Sequence, residues 1–176
     1  MKCLIIDGTG REGGLCDHLS GIISECIRDD DGSCEHVAYH NVRPEMCTGC
    51  GACRGGECRI LDGFTMALDV FDRYDLVVFV SPIRFSGLSS QMKVFVDRMN
   101  PMWYHHENVH AKSCAILVGG SKNPKFSNAE SELKALSKGC GMEFQDVLEL
   151  SGSDVAVEGA YDAQVLSFLE GIRARM

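Results

Sequence analysis

Leu76-Val77-Val78-Phe79-Val80 is apolar at every position. A strand with one wet face alternates apolar and polar residues. A strand that is apolar on both faces belongs in the middle of a parallel sheet covered on both sides. Two further runs, Cys3 to Asp7 and Cys114 to Val118, share this character, and weaker strand signals lie at 35–40 and 143–150. Helical spacing fills the intervals: about Gly14 to Arg28, about Phe64 to Phe71, 89–98 with Ser89 as N-cap, 127–138 with Ser127 or Asn128 as cap, and 161–175. Ser81-Pro82 is expected to end the central strand, because proline has no N–H to give a ladder. Asp29-Asp30-Asp31-Gly32 reads as a solvated turn.

Strands alternating with helices predict an α/β fold: a three-layer sandwich around a five-stranded parallel sheet in the doubly wound order 2-1-3-4-5. Ligands of such sheets bind beyond the carboxyl ends of the strands, at the switch point in strand order. The glycine-rich or polar strand ends at 8–14, 81–87 and 119–121 all fall on that side. Residues 1–176 read as one domain with a cysteine-rich loop at 44–63. A formal net charge of -8 with no run of Lys and Arg argues against nucleic-acid binding. The apolar start is too short for a signal peptide, and no stretch approaches membrane-spanning length. A cytoplasmic location with no membrane partner is expected.

In a reducing compartment, clustered thiols read as metal or redox groups rather than disulfides. Of the ten cysteines, Cys47, Cys50, Cys53 and Cys58 stand in a C-x2-C-x2-C-x4-C run rich in glycine. An iron–sulfur cluster needs four thiolates converging on a compact cube, and glycines let backbone N–H groups face the sulfurs. Structural zinc and metal-free redox thiols remain open alternatives. Cys3, Cys26 and Cys114 sit at apolar positions and read as small core residues.

The first loop, Gly8-Thr9-Gly10-Arg11-Glu12-Gly13-Gly14, spells G-x-G-x-x-G. The dinucleotide fingerprint also wants an acid at the end of the second strand, and none stands there, so an NAD-dependent enzyme is only the third and weakest reading. The loop still offers backbone N–H groups and a helix N-terminus to an anion, with Thr9 and Arg11 as added donors.

Three blocks together resemble the iron–sulfur flavoproteins, within the NAD(P)H-dependent FMN reductase branch of the flavodoxin-like superfamily. The first is Asp7 to Cys16, against S-G-S-P-R-x-G-G-N-T. The second is the cysteine run. The third is Ser81-Pro82-Ile83-Arg84-Phe85-Ser86-Gly87, followed by Ser89-Ser90-Gln91-Met92-Lys93 and Asp97-Arg98, against S-P-[IV]-Y-[FW]-G, S-x-Q-x-K and D-R. The resemblance covers residues 1 to about 100.

It implies a flavodoxin-like fold with FMN. The phosphate would lie at Thr9, Arg11, Gly13, Gly14, Leu15 and Cys16. The ring would be edged by Ser81, Pro82, Ile83, Arg84, Phe85, Ser86, Gly119 and Gly120. The cysteine run would carry a [4Fe-4S] cluster. The implied activity is electron transfer from NAD(P)H or a ferredoxin through FMN and the cluster to a small acceptor such as a quinone, in a homodimer or homotetramer. Leu15-Cys16 replace Asn-Thr, Arg84 replaces Tyr and Asp7 replaces Ser. These departures motivate an alternative: a metal-binding or redox-sensing module that has lost FMN. Met102 to His106 with His110 reads as a contact loop with exposed histidines rather than a metal site.

Overall fold

A computed structural model describes all residues except Asp30, which belongs to the acidic turn read at 29–32, and Glu158; both lie outside the described residues. The elements in chain order are β1 (Lys2–Asp7), α1 (Leu15–Asp29), β2 (Ser33–Ala38), α2 (Tyr39–Val42), α3 (Gly63–Leu68), β3 (Leu76–Arg84), β4 (Gly87–Leu88), α4 (Ser90–Arg98), α5 (Asn100–Tyr104), β5 (Lys112–Gly119), α6 (Ser127–Gly139), β6 (Glu143–Ser151) and α7 (Asp162–Arg173). The sheet runs β2-β1-β3-β5-β6 with every neighbour parallel, and β4 adds an antiparallel pair to β3. With β4 set apart, this is the expected order.

The apolar run on β3 serves two cores, as its lack of alternation requires. Leu76, Val78 and Val80 face α1 and α7 with Ile5, Ile116, Leu19, Ile23, Val165 and Leu169. Val77 and Phe79 face the other layer with Phe64, Phe95, Leu117 and Leu133. Cys3 and Cys114 are buried as expected, whereas Cys26 is only partly covered.

Four local readings are corrected. The second strand ends at Ala38 rather than residue 40, and Tyr39–Val42 turn into a short helix. The helix expected from Phe64 to Phe71 stops at Leu68, with a 3-10 turn following at Phe71–Arg73. α6 has Phe126 at its N-cap with no side-chain cap, so neither Ser127 nor Asn128 caps it. The fourth concerns Pro82, which does not end β3: the strand continues to Arg84, and Pro82 pairs with Val118. The Val80 carbonyl accepts from Gly8 N–H on the β1 side. Two residues on, Pro82 presents its nitrogen to that same side, where β1 has already ended at Asp7. The missing N–H therefore faces no partner strand.

Past Pro82 the chain folds back. Arg84 pairs with Gly87 across Phe85 (φ 49°) and Ser86 (φ 66°). Two consecutive left-handed residues make a tight hairpin of the primed kind, normally built from Asn and Gly. Ser89 then starts α4. Its hydroxyl caps Met92 N–H at 3.1 Å and donates to the Gly8 carbonyl at 2.9 Å. A Cβ at Gly8 would lie 2.5 Å from Met92 Cβ, so glycine there lets α4 close on β1. Ser89→Ala removes both bonds from a buried position, and we expect a loss of about 1–2 kcal/mol in urea unfolding with an unchanged slope.

Candidate functional site

The cysteine loop, residues 44–63, has one 3-10 turn, at Ala52–Gly55. A single buried side chain holds both of its ends. Arg98, the last residue of α4 and 1% exposed, donates to the Glu45 carbonyl at 2.8 Å and to Asp62 Oδ2 at 2.7 Å. The same guanidinium reaches the Ile60 carbonyl at 3.3 Å and Thr65 Oγ1 at 2.7 Å. Asp62 is also the N-cap of α3, accepting from Phe64 and Thr65 N–H. Burial alone would raise the Asp62 carboxyl, but Arg98 and the amides of Thr65 and Glu45 outweigh it and hold the group below its usual range.

Between these anchors, Cys47, Cys50, Cys53 and Cys58 line one hollow of about 160 Å3 with Arg98, Asn100 and Tyr104. Gly49 (φ 66°), Gly51 (φ 73°) and Gly56 (φ 103°) take left-handed turns that wind the cysteines around it. Gly49 N–H donates to Cys47 Sγ at 3.5 Å. The Cys50 thiol is shifted down, first by the Ala52 amide and further by Thr48 and Arg59. Arg54 Nε meets Tyr104 Oη at 3.4 Å, and His105 Nε2 lies 3.2 Å from the Arg54 carbonyl. Among the described residues, no three cysteine sulfurs lie within 4.8 Å of one another. One tetrahedral zinc with bonds of about 2.3 Å would draw its sulfurs to about 4 Å apart. Four thiolates around one hollow can each take a separate corner of a cube. The donor set therefore fits an iron–sulfur cluster.

The first loop is built differently from the expectation. Asp7 is fully buried, and its Oδ1 accepts the Thr9 N–H at 2.8 Å while its Oδ2 accepts from Ser20 Oγ at 3.0 Å. Asp17 Oδ2 accepts the Gly13 N–H at 2.8 Å. Two amides of the anticipated phosphate cradle thus bind the chain's own carboxylates. Gly10, Arg11 and Glu12 are exposed, and the first-turn N–H groups of α1 precede any intrahelical bond. Leu15 is half-buried, and Cys16 is buried with its thiol pushed well up by burial and by Asp7. Cys16 is a small core residue, not an anion donor. Arg11, the exposed amides of residues 10–12 and the helix N-terminus are the groups left there to meet an anion.

At the switch point, Ser81 is buried against Pro82 O and Ser89 Oγ, and Ile83 is buried beneath the hairpin. Arg84 is exposed, and Phe85 is fully exposed at the tip with Ser86 beside it. An exposed aromatic ring on a strained turn is a recurrent sign of a binding surface. Gly119 and Gly120 are closely approached, since a Cβ on them would lie 2.5 Å from Pro124 Cγ and from Asp154 Oδ1 respectively, and Gly120 stays half-exposed. His106 and His110 face backbone carbonyls of their own segment. Arg98 and Asp62 carry no role in the sequence reading beyond the D-R pair at 97–98, and Tyr104 and His105 belong to the segment read there as a contact loop.

A doubly wound sheet with a glycine loop at one helix N-terminus and a hairpin at the switch point defines a flavodoxin-like α/β protein. The profile of the NADPH-dependent FMN reductase family matches residues 1–152, and the chain belongs to that family. It is 27% identical over 124 residues to an iron-sulfur flavoprotein of Methanocaldococcus jannaschii, covering 70% of this chain and 64% of the relative. It is 29% identical over 119 residues to an iron-sulfur flavoprotein of Archaeoglobus fulgidus, covering 67% and 54%. The chain thus spans less than two thirds of these relatives' lengths. Among solved structures, an FMN-dependent NADH-azoreductase from Bacillus anthracis in complex with FMN superposes with a TM-score of 0.68 at 14% identity, covering 99% of each chain. A flavone reductase does so at 0.73 and 18% identity, covering 95% of this chain and 60% of its own. At these identities the likeness is one of fold. No described helix is long and apolar enough to cross a membrane.

Arg98→Leu removes the clamp while keeping bulk. We expect about 3 kcal/mol or more of destabilisation and rapid protease cleavage within residues 44–63. The depressed Asp62 carboxyl stabilises the fold above its unfolded pKa. That contribution is lost as pH falls through the folded value, so the protection of loop amides, corrected for intrinsic exchange, should fall below about pH 4 and stay flat from pH 5 to 8.

Proposed function

We propose that the chain is an FMN-dependent oxidoreductase that transfers electrons from NAD(P)H or a reduced ferredoxin, through FMN and a [4Fe-4S] cluster, to a small acceptor such as a quinone. The observation that carries this reading is the convergence of Cys47, Cys50, Cys53 and Cys58 on one hollow braced by Arg98, in a chain of the FMN reductase family. Arg11 and the exposed amides of residues 10–12 hold the phosphate. Ser81, Pro82 and Ile83 support the hairpin whose Arg84, Phe85 and Ser86 border the ring. Arg84 supplies a cation there in place of the Tyr of the family pattern. The four thiolates hold the cluster, and Gly49 N–H and Arg98 stabilise their negative charge. FMN, when bound, supplies the exchange between two-electron and one-electron transfer; the cluster supplies single-electron transfer. The protein acts in the cytoplasm as one domain in a homodimer or homotetramer, without nucleic-acid or membrane partners.

A second reading is favoured by one observation: Thr9 and Gly13 amides are bonded to Asp7 and Asp17. In that reading the scaffold has given up FMN and serves as a metal-binding or redox-sensing module.

A UV–visible spectrum of protein purified without oxygen, with flavin release and iron assay, separates them. Flavin bands and a broad shoulder with about four irons per chain support the oxidoreductase. A shoulder with no flavin uptake supports the sensor, and flavin without iron sinks the cluster. Loading with iron and sulfide should protect Cys47, Cys50, Cys53 and Cys58 from alkylation. Cys34, lowered to about 7 chiefly by a hydrogen bond from Cys3, should keep reacting. Arg84→Ala should weaken FMN affinity about tenfold, the loss of one charge-assisted contact; unchanged affinity and potential would remove the role given to Arg84.

A further inference from the structure

Beside the first loop lies a second cluster of ligating side chains, on the sheet face covered by α1. Asp7, Asp17 and His36 each offer a ligand atom, and the three atoms lie within 4.8 Å of one another. They come from the end of β1, the first turn of α1 and the middle of β2. His36 pairs in register with Ile5, two residues before Asp7, so both side chains project from the same sheet face. His36 Nε2 lies 3.4 Å from Asp7 Oδ2. His40, on α2, brings Nε2 to 3.8 Å from Asp17 Oδ1.

His40 is the independent sign of a missing ligand. Its side chain is 10% exposed, and it is the Nε2 edge of the ring that faces the cluster. At 3.8 Å its Nε2 is aimed at Asp17 but beyond hydrogen-bond reach. The charges are unbalanced as well. Among the described residues, the ion pairs of Asp7 and Asp17 are with His36 and His40, and not with any Lys or Arg.

We propose that Asp7, Asp17, His36 and His40 form a site for a first-row divalent metal cation. Two imidazoles and two carboxylates are a donor set for such ions, in contrast to the soft thiolates of the cysteine loop. Asp7 is positioned by Thr9 N–H and Ser20 Oγ, and Asp17 by Gly13 N–H. These bonds supply the outer support that metal ligands need. The side chains of Asp17 and His36, 23% and 22% exposed, leave an entry and room for water. Because the same two carboxylates hold the first loop, an ion here ties the loop to β2 and neutralises the acids beside the phosphate position.

Mn2+ is the probe, because thiolates bind it poorly. Full-length protein is titrated with Mn2+, and the free-ion electron paramagnetic resonance signal gives the bound fraction. The expected result is one Mn2+ per chain, retained in Cys47→Ser/Cys50→Ser and weakened at least about tenfold in His36→Ala and Asp17→Asn. Mn2+ should also raise the melting temperature of the wild-type chain and leave that of His36→Ala unmoved. Asp17→Asn keeps the side chain's shape, so it decides the matter if His36→Ala does not fold. No saturable binding, or binding that survives Asp17→Asn, or binding lost with the cysteines, would each overturn the site.

Discussion

The guanidinium of Arg98 is the interaction on which the arrangement of this molecule rests. A loop of about twenty residues with almost no regular structure has few contacts of its own to define its shape. Arg98 closes it by bonding Glu45 O near one end and Asp62 near the other, across sequence separations of 53 and 36 residues. The buried charge is tolerable because Asp62 neutralises it and the Glu45 and Ile60 carbonyls and Thr65 Oγ1 take further donors, while Nε has no hydrogen-bond partner. At the other end of the same helix, Ser89 bonds Gly8 O at the first loop. Over nine residues an α-helix rises about 13 Å. α4 is thus a rigid spacer between the first loop and the cysteine loop, and its position is fixed at both tips by buried hydrogen bonds.

The first loop has been altered in a consistent direction. An acid at residue 7 and another at residue 17 each take one amide that a phosphate loop would leave free. Leu15 and Cys16 present apolar groups where the family pattern has polar ones. The loop keeps its shape, since carboxylates satisfy its N–H groups as a phosphate would. It loses donors and gains negative charge. Arg11, Arg84 and the cation site inferred from His36 and His40 are the positive groups able to offset that charge.

Much of the fold was legible in the sequence. Two-faced apolar runs at β1, β3 and β5 identify the centre of the sheet, and Ser89 was recognisable as a cap from its place before an amphipathic segment. The errors have local causes. Pro82 reads as a strand end because a ladder needs N–H groups, but β1 stops short of it and leaves that side open. β4 was missed because Phe85-Ser86 is poor turn chemistry, tolerated here at a strained, exposed tip. The cap expected at Ser127 or Asn128 is not used.

The site was legible only in part. The spacing of Cys47, Cys50, Cys53 and Cys58 marks four thiols that share one hollow, because cysteines so close in sequence can converge through local glycine turns alone. Sequence by itself determined this, together with the layered sheet, since both follow from patterns repeating within a few residues. Tertiary structure alone decided that Arg98 clamps the loop, that Pro124 and Asp154 press against Gly119 and Gly120, and that Asp7, Asp17, His36 and His40 meet. These contacts join residues brought together by strand pairing and helix packing. No local periodicity encodes which distant side chains will share one buried point.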